Sequence, residues 1–224
     1  AAGEFGLTMC CASHVQAQGR GFPGQLGIFS DIHVEGLSRL AAAIKRSGSV
    51  AIAQLHHAGM RAPAALIGSP PVCPSDDAET GARALGLAEV VQLREDFIAA
   101  ALRAERAGFD GVELHGAHGY VLCQFLSAET NRRSDEYGGT LENRSRLLLE
   151  ILSGIRERCR SDLTVGVRLS PERFGMRLAE VRSLAQQLMS GGAVDFLDMS
   201  LWDVFKEPQE EAFRGRSLLS YFAE

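Results

Sequence analysis

Five short stretches, residues 6–12, 49–55, 111–115, 163–169 and 194–200, are rich in Val, Ile and Leu and run almost continuously apolar. A strand with one wet face would alternate polar and apolar residues. Unbroken runs of this length suit parallel strands buried on both faces. Amphipathic helical patterns lie between them, at 33–47, 91–107, 141–160 and 178–190, with a weaker one at 212–222. Gly48, Gly108 and Gly191 stand just past three of these helices, where a left-handed residue closes the last turn, and Thr140 can cap the start of a fourth. Strand and helix in strict alternation predict a parallel α/β fold.

Two parallel architectures compete, the doubly wound sheet and the (β/α)₈ TIM barrel. A doubly wound nucleotide-binding sheet usually carries a glycine-rich turn after its first strand. Here the first strand runs into Ser13-His14-Val15-Gln16-Ala17-Gln18-Gly19-Arg20-Gly21, which is not G-x-G-x-x-G. Three of the strands instead close on a polar residue, Gln54, His115 and Arg168. Barrel active sites gather at that end of the strands, so the barrel is the better reading. The strand starts are spaced by about 47 residues on average, and eight such units would need about 376. The 224 residues therefore hold about five βα units, an arc of a barrel, read as a single domain over 1–224.

The composition narrows the function. Twenty-three Lys and Arg against 28 Asp and Glu leave a net charge of −5, which argues against nucleic acid as a partner. The longest apolar run, residues 97–102, is six residues, and a membrane span needs about 20. Residues 1–6 have neither the basic start nor the apolar stretch of a signal peptide and read as the tail of a preceding helix and loop. Five cysteines without framework spacing point to free thiols in a reducing compartment, by default the cytoplasm.

Chemistry concentrates in His115-Gly116-Ala117-His118-Gly119-Tyr120, directly after a buried strand. Two imidazoles can donate hydrogen bonds to one carbonyl oxygen, and a phenol beside them can deliver a proton. A solvated surface loop or a His-x-x-His metal site is about as good an account from these residues alone. No Cys or carboxylate stands at zinc spacing, and no metal is expected. Gln54 ends its strand with an amide that can donate and accept at once, or it simply caps the strand. Arg168 puts a guanidinium on an apolar strand and so demands a partner, in a salt bridge or on a ligand. His56 and His57 adjoin in sequence, but neighbours in a strand face opposite ways, so only one can face a site. Cys10 and Cys11 read as small core fillers, Glu142 and Arg146 as an i, i+4 pair, and Arg156, Arg158 and Arg160 as a solvated face. Trp202 either lines a pocket or packs.

Four motifs together resemble the old yellow enzyme family of flavin-dependent ene-reductases. They are Gln54-Leu55-His56-His57-Ala58-Gly59, the His115–Tyr120 loop, residues 131–144 (NRRSDEYGGTLENR), and Gly166-Val167-Arg168-Leu169-Ser170. The resemblance covers essentially the whole chain, from the family's second barrel strand to just past its sixth. It implies an FMN-binding barrel that uses NAD(P)H to reduce activated C=C bonds of enones and enals. His115 and His118 would hold the substrate carbonyl and Tyr120 would protonate the α-carbon. Gln54, Arg168, Ala12 and His115 would contact the flavin, Arg168 near N1 and O2. Met60 stands where many members have Arg. Alternatives on the same barrel are a flavin-linked amine or dienoyl-CoA type oxidoreductase, or an inactive truncated module. A homo-oligomer stays open. The family's phosphate-binding loops lie beyond Glu224, so the chain alone is expected to bind FMN poorly. Its open arc would leave strand edges at 6–12 and 194–200 that aggregate, pair with another chain, or continue in a longer polypeptide.

Overall fold

A computed structural model describes residues 3–223; Ala1 and Ala2, part of the segment read above as a preceding tail, and Glu224 lie outside the described residues. The elements run β1 (Leu7–His14), α1 (Val34–Lys45), β2 (Val50–His56), α2 (Ala64–Ile67), β3 (Val72–Cys73), β4 (Arg83–Ala84) and α3 (Leu87–Arg106). They continue with β5 (Gly111–Gly116), α4 (Val121–Leu126), α5 (Leu141–Arg158), β6 (Thr164–Leu169), α6 (Leu178–Ser190) and β7 (Phe196–Met199).

The main sheet has the order β1-β2-β5-β6-β7, every neighbour parallel. Each main-sheet strand thus pairs with the next main-sheet strand in sequence, and among the described residues the order nowhere reverses. Right-handed crossovers repeated in one direction place every helix on the same face. The other face curls inward, which is an arc of a (β/α) barrel rather than a doubly wound sheet. β1 and β7 form the edges, as the strand count predicted. All five expected main-sheet strands are present. The small β3–β4 pair, α2 and α4 were not foreseen; each is too short for periodicity to register.

The helical layer holds the core. Phe97, Leu93 and Ile98 of α3 and Leu147, Leu148 and Ile151 of α5 are buried between the layers. α3 and α5 approach closely because α5 has no side chain at Gly154. A Cβ there would sit 2.3 Å from Ile98 Cδ1. Gly48 and Gly108 adopt the left-handed conformation expected of them, with φ of 74° and 86°. At the end of α6 that role falls to Gly192 (φ 64°) and not Gly191.

Several local expectations are corrected. β1 continues two residues past Ala12, through a register shift between Cys10 and Ser13 and a cis Cys11–Ala12 peptide. Cys10 is buried but Cys11 is exposed, because alternation turns it to the concave face. α3 starts four residues early, at Leu87, where Glu89 Oε2 accepts the Gly86 N–H at 2.9 Å. The 212–222 helix does not form. Two 3-10 turns, Glu211–Phe213 and Leu218–Tyr221, stand there instead, parted by Gly215 at φ 94°. Glu142 and Arg146 do not pair; Arg146 binds the Glu136 carbonyl and Asn143 Oδ1. Arg156, Arg158 and Arg160 are not simply solvated. They reach Asp195, Glu95 and the Phe109 carbonyl, tying α5 and the turn after it to neighbouring elements.

The 131–144 motif is structural. Asn131 Nδ2 donates to the carbonyls of Phe125 and Tyr137, both at 2.7 Å. Arg133 pairs with Asp135 and spans to the Pro74 carbonyl. Thr140 Oγ1 accepts the Asn143 N–H at 3.3 Å, the expected N-cap. Thr140→Ala is expected to lower unfolding free energy by about 1 kcal/mol, read from urea denaturation, with m unchanged. Among the described residues no helix is long and apolar enough to cross a membrane.

Candidate active site

The polar strand ends meet on one rim. In register, Gln54 of β2 lies opposite Glu113 of β5, and His115 of β5 lies opposite Arg168 of β6, which lies opposite Asp198 of β7. Alternation sends these side chains, and His56 two residues beyond Gln54, to the concave face. It also decides between the adjacent histidines. The His56 ring sits 4.3 Å from the Tyr120 ring and 5.4 Å from that of His115. His57 turns the other way, with Nε2 3.1 Å from Gln16 Oε1 and Nδ1 accepting the Gly59 N–H at 2.9 Å.

After β5 the chain turns through His118 and Gly119, at φ 60° and 69°. The turn carries His118 back over His115 and delivers Tyr120 to the start of α4. Ring centroids lie 5.0 Å apart for His115–His118, 5.0 Å for His115–Tyr120 and 6.3 Å for His118–Tyr120. The loop is anchored from the next two strands. His118 N–H donates to Ser170 Oγ at 3.0 Å, and His118 Nε2 lies 2.5 Å from Ser200 Oγ. Arg61, next to the Met60 position, donates to the His118 carbonyl at 2.8 Å and places its guanidinium 5.4 Å from the Tyr120 ring centroid. A cation therefore does stand at this loop, one residue later than the motif suggests.

Electrostatics divide the labour. Burial, reinforced by His56, His118 and Arg168, pushes the His115 imidazole down to about 2. Burial also lowers His118, with Arg168 adding to it, and takes His56 to about 3. His56 and His115 are therefore neutral at physiological pH, and His118 is shifted in the same direction. A neutral imidazole can donate one N–H to an oxygen but holds no acidic proton to give. The Ala117 N–H points at His115 Nδ1 (3.4 Å), which leaves the ring proton on Nε2. The phenol of Tyr120 packs against both the His56 and the His115 ring.

Gln54 Nε2 donates to Glu113 Oε1 at 2.6 Å. Arg168 is half-buried, with Nε at ion-pair distance, 3.1 Å, from Asp198 Oδ2 but without a hydrogen bond among the described residues. The structure brings Gln54, His115, His118, Tyr120 and Arg168 together on the rim. Ala12 lies on β1 at the cis peptide, where its carbonyl accepts from Gln25 at 3.0 Å. Trp202 is 82% exposed, with Arg173 stacked 4.4 Å over its ring, and shares a small cavity with His118 and Phe174. Among the described residues no group of three His, Cys, Asp or Glu side chains could hold a metal ion.

Three residues of the rim escaped the sequence reading, Glu113, Asp198 and Arg61, and the choice of His56 over His57 was left open there. The first two carried a usable signal, since each is a carboxylate inside an apolar strand. Arg61 carried none, because its reach depends on how the loop after β2 folds.

Imidazole, phenol, amide and guanidinium groups thus share one concave rim of a parallel barrel arc. The chain belongs to the NADH:flavin oxidoreductase / NADH oxidase family, whose model matches residues 1–214. It is 37% identical over 232 aligned positions to the probable NADH-dependent flavin oxidoreductase YqiG of Bacillus subtilis, covering 99% of this chain and 62% of that protein. It is 40% identical over 214 positions to the NADPH dehydrogenase of Halalkalibacterium halodurans, covering 93% of this chain and again 62% of the relative. Among solved structures, the old yellow enzyme homologue from Zymomonas mobilis superposes with a TM-score of 0.79 at 34% identity. That match covers 86% of this chain and 59% of the other. The (β/α)₈ barrel class follows, with this chain as an arc of it that spans about three fifths of these relatives.

Proposed function

We propose that residues 1–224 are part of one FMN-binding (β/α) barrel domain that reduces activated C=C bonds of enones and enals at the expense of NAD(P)H. One observation carries the reading: two imidazoles and a phenol converge on a patch beside the Gln54 amide and the Arg168 guanidinium. The residues fit a flavin. An amide offers both a donor and an acceptor to the pyrimidine edge, and a guanidinium favours negative charge gathering at N1 and O2. Bound FMN, reduced by NAD(P)H, supplies a hydride to the β-carbon of the alkene.

The chain's own residues do the rest. His115 and His118 donate to the substrate carbonyl oxygen and stabilise the charge that gathers there. Tyr120 gives its proton to the α-carbon, so hydride and proton together saturate the double bond. Arg61 over the Tyr120 ring favours the phenolate left behind. Five free cysteines support a reducing compartment, for which we name the cytoplasm.

The test is turnover of NAD(P)H with cyclohexenone by the full-length flavoprotein. Enone-dependent oxidation is expected; oxidation of amines without it would overturn the reading. Phenols mimic the enolate oxygen, and His115→Ala is expected to weaken phenol binding by about 10-fold, one lost hydrogen bond to a developing or full negative charge. Titration of the flavin charge-transfer band measures it.

A further inference from the structure

Glu113 is a buried carboxylate on the concave face of the sheet. It is 0% exposed, in the middle of β5, directly across the register from Gln54. Oε1 accepts the Gln54 N–H at 2.6 Å, while Oε2 is buried without a hydrogen-bond partner among the described residues. The second N–H of Gln54 rests 3.8 Å from Met9 Sδ, a weak acceptor that a ligand oxygen displaces easily. Gln54 Oε1 accepts no bond from the described residues. An ionised carboxylate accepts only, so it forces Nε2, not Oε1, to face it. Without that constraint a glutamine amide can turn over and exchange donor for acceptor.

We propose that Glu113 is a positioning residue: its buried carboxylate holds one N–H of Gln54 and so fixes the order in which the amide presents acceptor and donor to a flavin's pyrimidine edge. A flavin edge needs that order, since its N3–H donates and the flanking carbonyls accept. A reversed amide sets donor against donor. This inference rests on the reading that Gln54 faces the FMN ring.

The groups facing Glu113 are Gln54 from β2, Arg168 from β6 and Asp198 from β7, with Cys11 of β1 near enough to feel its charge. Burial pushes the Glu113 carboxyl up to about 7, aided by Asp198 and opposed by the Gln54 bond and Arg168. Below that pH the protonated carboxyl can itself donate to Gln54 Oε1, and the amide is free to turn.

The experiment measures FMN affinity of the full-length apoprotein by flavin fluorescence quenching, for wild type, Glu113→Gln, Gln54→Leu and the double variant. Glu113→Gln is nearly isosteric, but its amide can either donate or accept and so no longer dictates the order. It is expected to weaken FMN binding about 3- to 10-fold at pH 8, the scale of one hydrogen bond. Gln54→Leu should weaken binding at least as much, and the double variant no further, because Glu113 acts through Gln54. The wild-type affinity should fall towards that of Glu113→Gln between pH 8 and pH 6, so that the ratio between them closes. A carboxylate that merely stabilises the core would shift the melting temperature of the apoprotein without these effects. Unchanged affinity in Glu113→Gln, additive losses, or a pH-independent ratio would overturn the proposal. Should Gln54→Leu bind FMN as wild type does, it is the ring-edge reading that fails. Should Glu113→Gln yield no folded apoprotein, the wild-type profile decides against Gln54→Leu: loss of affinity from pH 8 to 6 in wild type alone supports the proposal, and parallel profiles refute it.

Discussion

Tyr120→Phe is expected to slow enone reduction by about 10²- to 10⁴-fold while leaving reduction of the flavin by NAD(P)H largely intact. The phenyl ring keeps the packing of the phenol, 4.3 Å from His56 and 5.0 Å from His115, so the site should stay assembled. What disappears is the phenol proton. Burial holds the imidazoles of His56 and His115 neutral, at about 3 and 2, so neither can substitute as the acid anywhere near neutral pH. Stopped-flow measurement of the two half-reactions separates the outcomes. If the substitution slowed only flavin reduction, the proton-donor role would fall. A slowing that raising buffer acid concentration reverses would strengthen it.

Arg144→Ala is expected to cost about 3–5 kcal/mol of unfolding free energy, with little change in m. Arg144 is 3% exposed and holds three separate segments at once. Its guanidinium binds the Leu126 carbonyl at the end of α4, the Gly139 carbonyl before α5, and Glu180 of α6 at 2.7 Å. Removing it orphans two backbone carbonyls and leaves a half-buried carboxylate unpaired. The penalty is the cost of those unpaired groups rather than the net worth of the ion pair. Arg144→Lys should recover only part of the loss, since an ammonium cannot span three acceptors in a fork. Chemical denaturation of the full-length protein gives the numbers. A loss under about 1 kcal/mol for Arg144→Ala would mean that water replaces the guanidinium freely.

Both effects lie within a motif whose residue types were readable in advance, yet what was readable differed in kind. The barrel arc was legible because its signals are local. Buried parallel strands are apolar throughout, helices repeat every 3.6 residues, and left-handed glycines mark their ends. The His115–His118–Tyr120 cluster was legible for the same reason: its three rings come from one six-residue stretch directly after a buried strand. Where a neighbouring signal competed, local reading slipped. The 212–222 pattern is amphipathic, but Gly215 at φ 94° divides it. The i, i+4 spacing of Glu142 and Arg146 was correct, but the Glu136 carbonyl offered the guanidinium a better-placed acceptor.

The amino-acid sequence by itself determined the alternation of strand and helix, the rim on which the polar strand ends gather, and the donor, acceptor and acid groups available there. Only the tertiary structure decided which of His56 and His57 faces that rim, that Arg168 answers to Asp198, that Glu113 holds Gln54, and that Arg61 reaches the Tyr120 ring. The reason is physical. Those contacts join residues 30 to 64 positions apart, and their partners are set by strand register and loop path. A one-residue slip in register would turn the strand residues among them, Gln54, His56, Glu113, Arg168 and Asp198, to the opposite face of the sheet.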